Sequence, residues 1–194
     1  MTELPDLSLF QAADALRSGA MTSRALVQAV LDRIVARKGL DAFTHVAADA
    51  LAQADAADAM LAAGIDPGPF CGLPVAVKDM TDVAGQPATS GSAVLAGRIA
   101  ATDAPAVARL RAQGAVLIGK VATYEFGMVG PDLNLPDPPA RNPWNLAHTT
   151  GGSSSGSAVA VGGGAGAPGA RHRFRWLDPC ARRLLRLCRA EAQP

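Results

Sequence analysis

The sequence is poor in several residue classes, and each scarcity excludes a class of protein. Of its 194 residues, 4% are aromatic and 18% are charged, while 49% are hydrophobic. No charge-free apolar run approaches the roughly 18 residues of a membrane-spanning helix. The first residues also lack the basic segment and apolar stretch of a secretory signal. We therefore expect a globular protein of the cytoplasm with no membrane partner.

Cysteine is scarce as well, and its positions argue against a metal site. Cys71, Cys180 and Cys188 are an odd number of thiols, which predicts that they are reduced. Cys180 and Cys188 lie close in sequence to His172, but they lack the Cys-x-x-Cys spacing that is typical of zinc sites. We predict that the chain binds no metal.

The small net charge of +1 is an average over two unlike parts of the chain. Residues 171–194 contain seven arginines and two acidic residues, which gives this tail a charge of +5. The first 170 residues contain 11 basic and 15 acidic residues, which gives a charge of −4. A basic tail on an acidic body is typical of an arm that binds nucleic acid or a membrane.

Helical patterns dominate the first 65 residues. One helix is predicted from a cap at Ser8 to about Arg17, and a second begins after a cap at Thr22 or Ser23. An alanine-rich third helix is predicted over residues 48–63. We predict no strand in this part of the chain.

The hydrophobic pattern then changes from helix to strand. Residues 72–77 and 115–118 are short apolar runs that are typical of buried strands. A helix capped by Asp103 and ending at Ala112 lies between them, whereas residues 85–103 are predicted as loop. Strand, helix and strand in this order predict an α/β fold in which the two strands are parallel.

Lys78 is the first candidate for chemistry. The chain has only three lysines, and Lys78 lies at the end of an apolar strand, where ligand sites of open α/β sheets are found. Burial disfavours the ammonium form of a lysine, so that the side chain can act as a base. The alternative is a surface lysine that pairs with Asp79, and this segment alone favours the alternative.

The glycine- and serine-rich run 151–157 is the second candidate. Its glycines allow backbone amides to converge, and a helix after such a run can hold an anion or oxyanion at its N-terminus. The alternative is a flexible linker. Residues 158–161 follow at once as an apolar helix start, which a linker does not need.

Together, the two segments resemble the amidase signature family. The segments are GLPVAVKDM (72–80) and TTGGSSSGSAVAV (149–161), and the resemblance covers most of residues 1–161. GAVLIGKVATYEFGM (114–128) and ARNPWN (140–145) are also similar in kind and order. The resemblance implies the N-terminal portion of an α/β/α fold, with a mixed sheet flanked by helices.

The resemblance also implies a chemistry. Members of this family act on amides through a Ser–Ser–Lys triad without a metal or organic cofactor. By resemblance, Lys78 is the general base and Ser153 is the bridging serine at a cis peptide bond, while Ser154 supports Ser153 by hydrogen bonding. The third member, a nucleophilic serine, takes part in an acyl-enzyme.

The nucleophile itself is absent, since Leu177 occupies its position and no serine follows Ser157. A reading-frame shift near residues 161–162 explains this absence. Codons for residues 171–177 can be chosen so that the frame displaced by one base reads Gly-Thr-Asp-Ser-Gly-Gly-Ser, which resembles the family's nucleophile segment. The agreement extends over residues 162–194.

On this interpretation, residues 1–161 are a partial amidase domain and residues 162–194 are an out-of-frame tail. Its arginines then reflect GC-rich DNA read in the wrong frame, and we expect no nucleic-acid partner. The chain is expected to be truncated, inactive and poorly stable.

Three hypotheses remain for the parent enzyme, the intact protein behind this chain. It is a stand-alone amidase that acts on a small-molecule amide, or the A subunit of an amidotransferase, which acts on glutamine with partner subunits and serves misacylated tRNA. The third is a fragment without catalysis. The sequence does not identify the amide.

Overall fold

The computed structural model describes residues 7–128, 130–132, 134 and 138–162. These residues form five α-helices and a three-stranded sheet. The order is α1 (Leu9–Arg17), α2 (Ser23–Ala36), β1 (Phe43–Val46), α3 (Ala50–Ala62), β2 (Pro74–Lys78), α4 (Pro105–Ala112), β3 (Val116–Val121) and α5 (Ser155–Gly162). Short 3-10 turns occupy Lys38–Leu40, Ala93–Leu95 and Glu125–Gly127.

The sheet is mixed, with β3 in the centre. β3 runs parallel to β2 and antiparallel to β1, in the order β1-β3-β2. The predicted α/β fold with a mixed sheet and flanking helices is confirmed, and so is the parallel pairing across α4. β3 extends to Val121, beyond the predicted end at residue 118, because Lys120 is buried in spite of its charge.

The prediction that the first 65 residues are helical without a strand is wrong at β1. This strand has four residues, and it pairs with β3 through Phe43↔Val121, His45↔Lys120 and Val46↔Gly119. So short an edge strand shows too little alternation to be read locally. Its pairing depends on a partner far along the chain.

Side-chain caps fix the starts of the first two helices. Ser8 accepts a hydrogen bond from Gln11 N, and the Gln11 side chain accepts one from Ser8 N, so that the two residues form a capping box. Thr22, the first of the two predicted candidates, caps α2 by accepting from Ala25 N.

The predicted cap of α4 by Asp103 is wrong. The N-cap is Ala104, and Pro105 is the first helical residue, where its missing N–H costs nothing. Asp103 lies one residue too early. Its carboxylate accepts from Ala84 N at 2.7 Å and pairs with Arg111 at 2.7 Å, which ties the loop before the helix to its last turn.

Alternate residues of β2 and β3 pack in two hydrophobic clusters. Ala76 and Ile118 belong to the larger cluster, which includes residues of α1, α2, α3 and α5. Val77 and Leu117 pack with Val107 of α4. This alternation is that of a sheet covered by helices on both faces. No helix in the described part of the chain is long and apolar enough to cross a bilayer.

Candidate functional site

The two predicted site residues Lys78 and Ser153 meet in the structure. Lys78 is the last residue of β2, and Ser153 lies two residues before α5. Although the two are 75 positions apart, Lys78 Nζ donates a hydrogen bond of 2.8 Å to Ser153 Oγ. Both side chains are half-buried. An amine in contact with a hydroxyl is an arrangement that can move a proton to or from that hydroxyl.

The close approach of the serine-rich run to the end of β3 brings Ser153 to this place. Tyr124 N donates to Ser153 O at 3.0 Å, and Gly156 N donates to Ala122 O at 2.9 Å. A Cβ atom at Gly152 would overlap the Tyr124 ring, so that only glycine fits there. The peptide bond between Gly152 and Ser153 is cis. The run is therefore a defined part of the site, and the linker interpretation is wrong.

The neighbouring serines have different surroundings. Ser154 is half-buried, and within the described residues no hydrogen bond joins its hydroxyl to Ser153. Its supporting role stays a prediction. Ser155 is buried as the first residue of α5, and its Oγ has no hydrogen-bond partner among the described residues.

The interpretation of Lys78 as a surface lysine paired with Asp79 is also wrong about Asp79. Asp79 is only 1% exposed, and its Oδ1 lies 2.9 Å from Nζ of Lys120, which is fully buried. Lys120 Nζ donates a second bond of 2.8 Å to Pro87 O. Sequence reasoning missed this buried ion pair. Its one signal is a second rare lysine at the end of an apolar run.

A wall of apolar and main-chain atoms borders the site. A Cβ atom at Gly127 would lie 2.7 Å from Met80 Sδ and 3.5 Å from Ser153 Oγ, so that this glycine leaves room beside the serine. Met80 and Phe126 are 43% and 45% exposed. Phe126 has a left-handed φ of 47°, and its N–H donates to Ser90 O at 2.9 Å. This wall offers apolar contact to a group bound at Ser153.

No cluster of three His, Cys, Asp or Glu side chains that could hold a metal occurs within the described residues. The predicted nucleophile position, Leu177, lies outside the described residues. His172, Cys180 and Cys188 also lie outside them.

Comparison with known proteins decides the family. The family model described as Amidase matches residues 25–170, about three quarters of the chain. The chain belongs to the amidase family. The match includes Lys78 and the serine-rich run, and it ends one residue before Arg171.

Amidases and amidotransferase subunits are among the relatives of this family member. The chain is 46% identical over 166 residues to the A subunit of a glutamyl-tRNA(Gln) amidotransferase from Roseiflexus sp. (strain RS-1), and it covers 34% of that protein with 84% of itself. The corresponding A subunit from Anaeromyxobacter dehalogenans (strain 2CP-C) is 45% identical over 164 residues. That match covers 84% of this chain and 33% of the relative.

The same relation holds for solved amidase structures. The native peptide amidase from Stenotrophomonas maltophilia superposes with a TM-score of 0.76 at 32% identity, over 83% of this chain and 35% of that enzyme. The chain thus spans about a third of the length of the proteins it matches, and its fold is one part of the amidase fold.

Proposed function

We propose that Lys78 and Ser153 are two members of a Ser–Ser–Lys site that hydrolyses a carboxylic amide in the parent enzyme. The observation that carries this proposal is the 2.8 Å hydrogen bond between Lys78 Nζ and Ser153 Oγ in a member of the amidase family. The substrate is a small-molecule amide, the site needs no metal or organic cofactor, and the enzyme works in the cytoplasm.

The proposed reaction runs through an acyl-enzyme. A neutral Lys78 accepts the proton of Ser153, and Ser153 accepts the proton of a nucleophilic serine, whose oxygen attacks the amide carbonyl. The C–N bond then breaks, and the transferred proton leaves with the amine or ammonia. Water, activated in the same way, attacks the ester that remains and releases the carboxylic acid. Backbone amides around the nucleophile stabilise the oxyanion in both steps.

The 194-residue chain is proposed to lack the nucleophile. No serine follows Ser157, and Leu177 stands at the position that the family gives to the attacking serine. We propose that residues 162–194 are an out-of-frame tail, and that a shifted frame encodes the missing segment. Sequencing the gene beyond codon 162 tests this. Codons that cannot encode a Gly-Thr-Asp-Ser-Gly-Gly-Ser segment in the displaced frame would contradict it.

An amide hydrolysis assay tests the function. We expect the 194-residue chain to release no ammonia from simple aliphatic or aromatic amides. The product of the restored frame should hydrolyse an amide, and Lys78→Ala or Ser153→Ala should reduce its kcat by about 10²–10⁴-fold. Lys38→Ala, the same substitution outside the site, should leave kcat unchanged. Turnover by the 194-residue chain that disappears in Ser153→Ala would show that no further nucleophile is needed.

A second candidate is the A subunit of a glutamine-dependent amidotransferase. The observation that favours it is the name of the relatives at 46% and 45% identity, which are A subunits of a glutamyl-tRNA(Gln) amidotransferase. In this case the parent protein would release ammonia from glutamine only when it is combined with partner subunits that are encoded nearby. Hydrolysis of simple amides by the isolated parent enzyme would favour the first candidate.

The third hypothesis is a fragment without catalysis, in which the basic tail is a genuine arm. Such an arm would retain nonspecific DNA at low salt and release it at high salt, since phosphate contacts are salt-sensitive. We expect no retention in a pull-down at either salt concentration.

A further inference from the structure

The proposed base Lys78 is followed directly by a buried carboxylate. Asp79 is 1% exposed, and a bare carboxylate next to a lysine stabilises the ammonium form of that lysine. The ammonium form cannot accept a proton from Ser153. The proposed chemistry therefore needs something that cancels the charge of Asp79.

Lys120 is placed to cancel it. Its Nζ lies 2.9 Å from Asp79 Oδ1 and donates to Pro87 O at 2.8 Å, with no exposure to solvent. The strand register pairs Lys120 with Val77, and successive residues of a strand point to opposite faces. Lys120 therefore meets Asp79 on one face of the sheet, while Lys78 contacts Ser153 on the other.

Asp79 also fixes the main chain on the far side of Lys78. Asp79 N donates to Val121 O at 3.0 Å, and Ser90 N donates to Asp79 O at 3.1 Å. The second carboxylate oxygen, Oδ2, accepts from Thr89 N at 3.2 Å and from Thr89 Oγ1. Every polar group of Asp79 is thus used to join β2, β3 and the loop at residues 87–90.

Stability alone does not account for this pair. A buried ion pair often contributes no more than well-packed apolar side chains of similar volume, because desolvation of both ions offsets their attraction. Two apolar residues could join the strands equally well. A reason for keeping both charges has to come from what they do to a neighbour.

We propose that Lys120 is a positioning residue of the site, which neutralises Asp79 so that the carboxylate does not hold Lys78 as an ammonium ion. This inference rests on the proposed role of Lys78 as the base. Asp79 anchors the end of β2 and the loop at residues 87–90, and Lys120 removes the electrostatic consequence of that anchor.

Other ionisable groups lie around this end of the sheet, and one of them reports on the pair. His45 of β1 is the register partner of Lys120. Burial and then Lys120 lower the pKa of His45, whereas Asp79 raises it. Glu125 accepts from Ser92 Oγ at 2.6 Å, Asp82 pairs with Arg98 at 2.7 Å, and α5 carries no charged residue.

The three lysines allow a direct test on the 194-residue chain. Protein labelled with ¹³C at lysine Cε gives three signals, which single substitutions assign, and their pH titration is followed by NMR at low temperature. In the wild type we expect Lys78 to titrate at lower pH than Lys38. A Lys78 midpoint equal to or above that of Lys38 would overturn the proposal without any variant.

Two variants separate charge from structure. Lys120→Met leaves the Asp79 carboxylate unpaired and should raise the Lys78 midpoint by about one pH unit. The His45 midpoint should rise with it. The double variant Lys120→Met/Asp79→Asn has no charge at the pair and should return both midpoints to the wild-type values. A merely structural pair predicts no such return.

A matched control removes the cation of another ion pair. Arg17→Met breaks the partly exposed pair with Asp66, in which Arg17 Nε lies 2.8 Å from Asp66 Oδ2. It should leave the Lys78 midpoint unchanged. If Lys120→Met shifts the midpoint no more than this control, or if the double variant stays shifted, Lys120 does not act through Asp79.

The test is independent of turnover. The midpoints are measured on a chain that is expected to hydrolyse nothing, so they decide the role of Lys120 alone. Hydrolysis by the restored-frame enzyme that survives Lys78→Ala would instead overturn the proposed function. If Lys120→Met does not fold, the wild-type midpoint still decides.

Discussion

At the scale of single residues, glycine determines how closely α5 approaches the sheet. Gly156 is buried in the first turn of α5, and its N–H donates to Ala122 O. A Cβ atom at this position would overlap Ala122 N and Ala42 O, which are main-chain atoms that cannot rotate away. The contact of Ser153 with Lys78 depends on this approach.

Gly156→Ala should therefore destabilise the fold although alanine favours helices. We expect a loss of about 1–3 kcal/mol in the free energy of unfolding, as for overpacked core positions. Urea denaturation followed by circular dichroism measures it. Gly39→Ala is the control, because nothing lies within 4 Å of its Cβ position and its φ is not left-handed. Equal effects of the two substitutions would contradict the role of the close approach.

His45 adds a pH dependence at the same scale. Burial and then Lys120 lower its pKa from the ordinary 6.5. Since the unfolded chain binds this proton more readily, the stabilising contribution is complete above pH 6.5 and decreases as the pH falls towards the folded pKa.

We expect the urea midpoint of the wild type to fall more between about pH 7.5 and about pH 5 than that of His45→Gln. Carboxylates titrate in both proteins, so the difference between the two isolates the histidine. Parallel pH profiles would show that His45 does not contribute.

At the scale of elements, a carboxylate of α3 completes the N-terminus of α2. Asp58 accepts from Ser23 N at 2.6 Å and from Arg24 N at 3.0 Å. These N–H groups have no acceptor within their own helix, and a negative charge near them also complements the helix dipole. The contact fixes the packing of α3 against α2.

Asp58→Asn should cost about 1–2 kcal/mol, because an amide offers one acceptor oxygen and no charge. Asp55→Asn is the matched control on the same helix. Asp55 pairs with Arg24, both side chains are about half exposed, and such pairs contribute about 0–1 kcal/mol. Differential scanning calorimetry of both variants checks the order, and a larger effect of Asp55→Asn would contradict it.

Elements with local signals were predictable from the sequence, and those that depend on distant partners were not. The capped α1 and α2 and the apolar β2 follow from neighbouring residues. β1 and the ion pair of Lys120 with Asp79 depend on contacts with residues far away in sequence. Lys78 and Ser153 could be named as a pair only through the family resemblance.

At the scale of the whole molecule, the described residues leave apolar surface uncovered. Among them β2 pairs only with β3, so that its second edge is open. Large apolar side chains are exposed as well, including Phe10, Val94, Met128, Trp144 and Leu146. Open edges and apolar patches favour association with other chains.

We expect the isolated chain to be only marginally stable, with a broad thermal transition and binding of a hydrophobic dye. Calorimetry with dye fluorescence measures both. A sharp transition whose calorimetric and van't Hoff enthalpies agree would contradict this expectation, since such agreement identifies a two-state domain.

The central position of β3 has a consequence for synthesis on the ribosome. Phe43 of β1 pairs with Val121, the last residue of β3, so β1 must wait for the intervening chain to be translated. At typical rates this delay is about 4–15 s. The helices form from local contacts in much less time. During this delay the nascent β1 has only α2 and α3 to shield Phe43, and the sheet is completed when β3 emerges between strands made earlier.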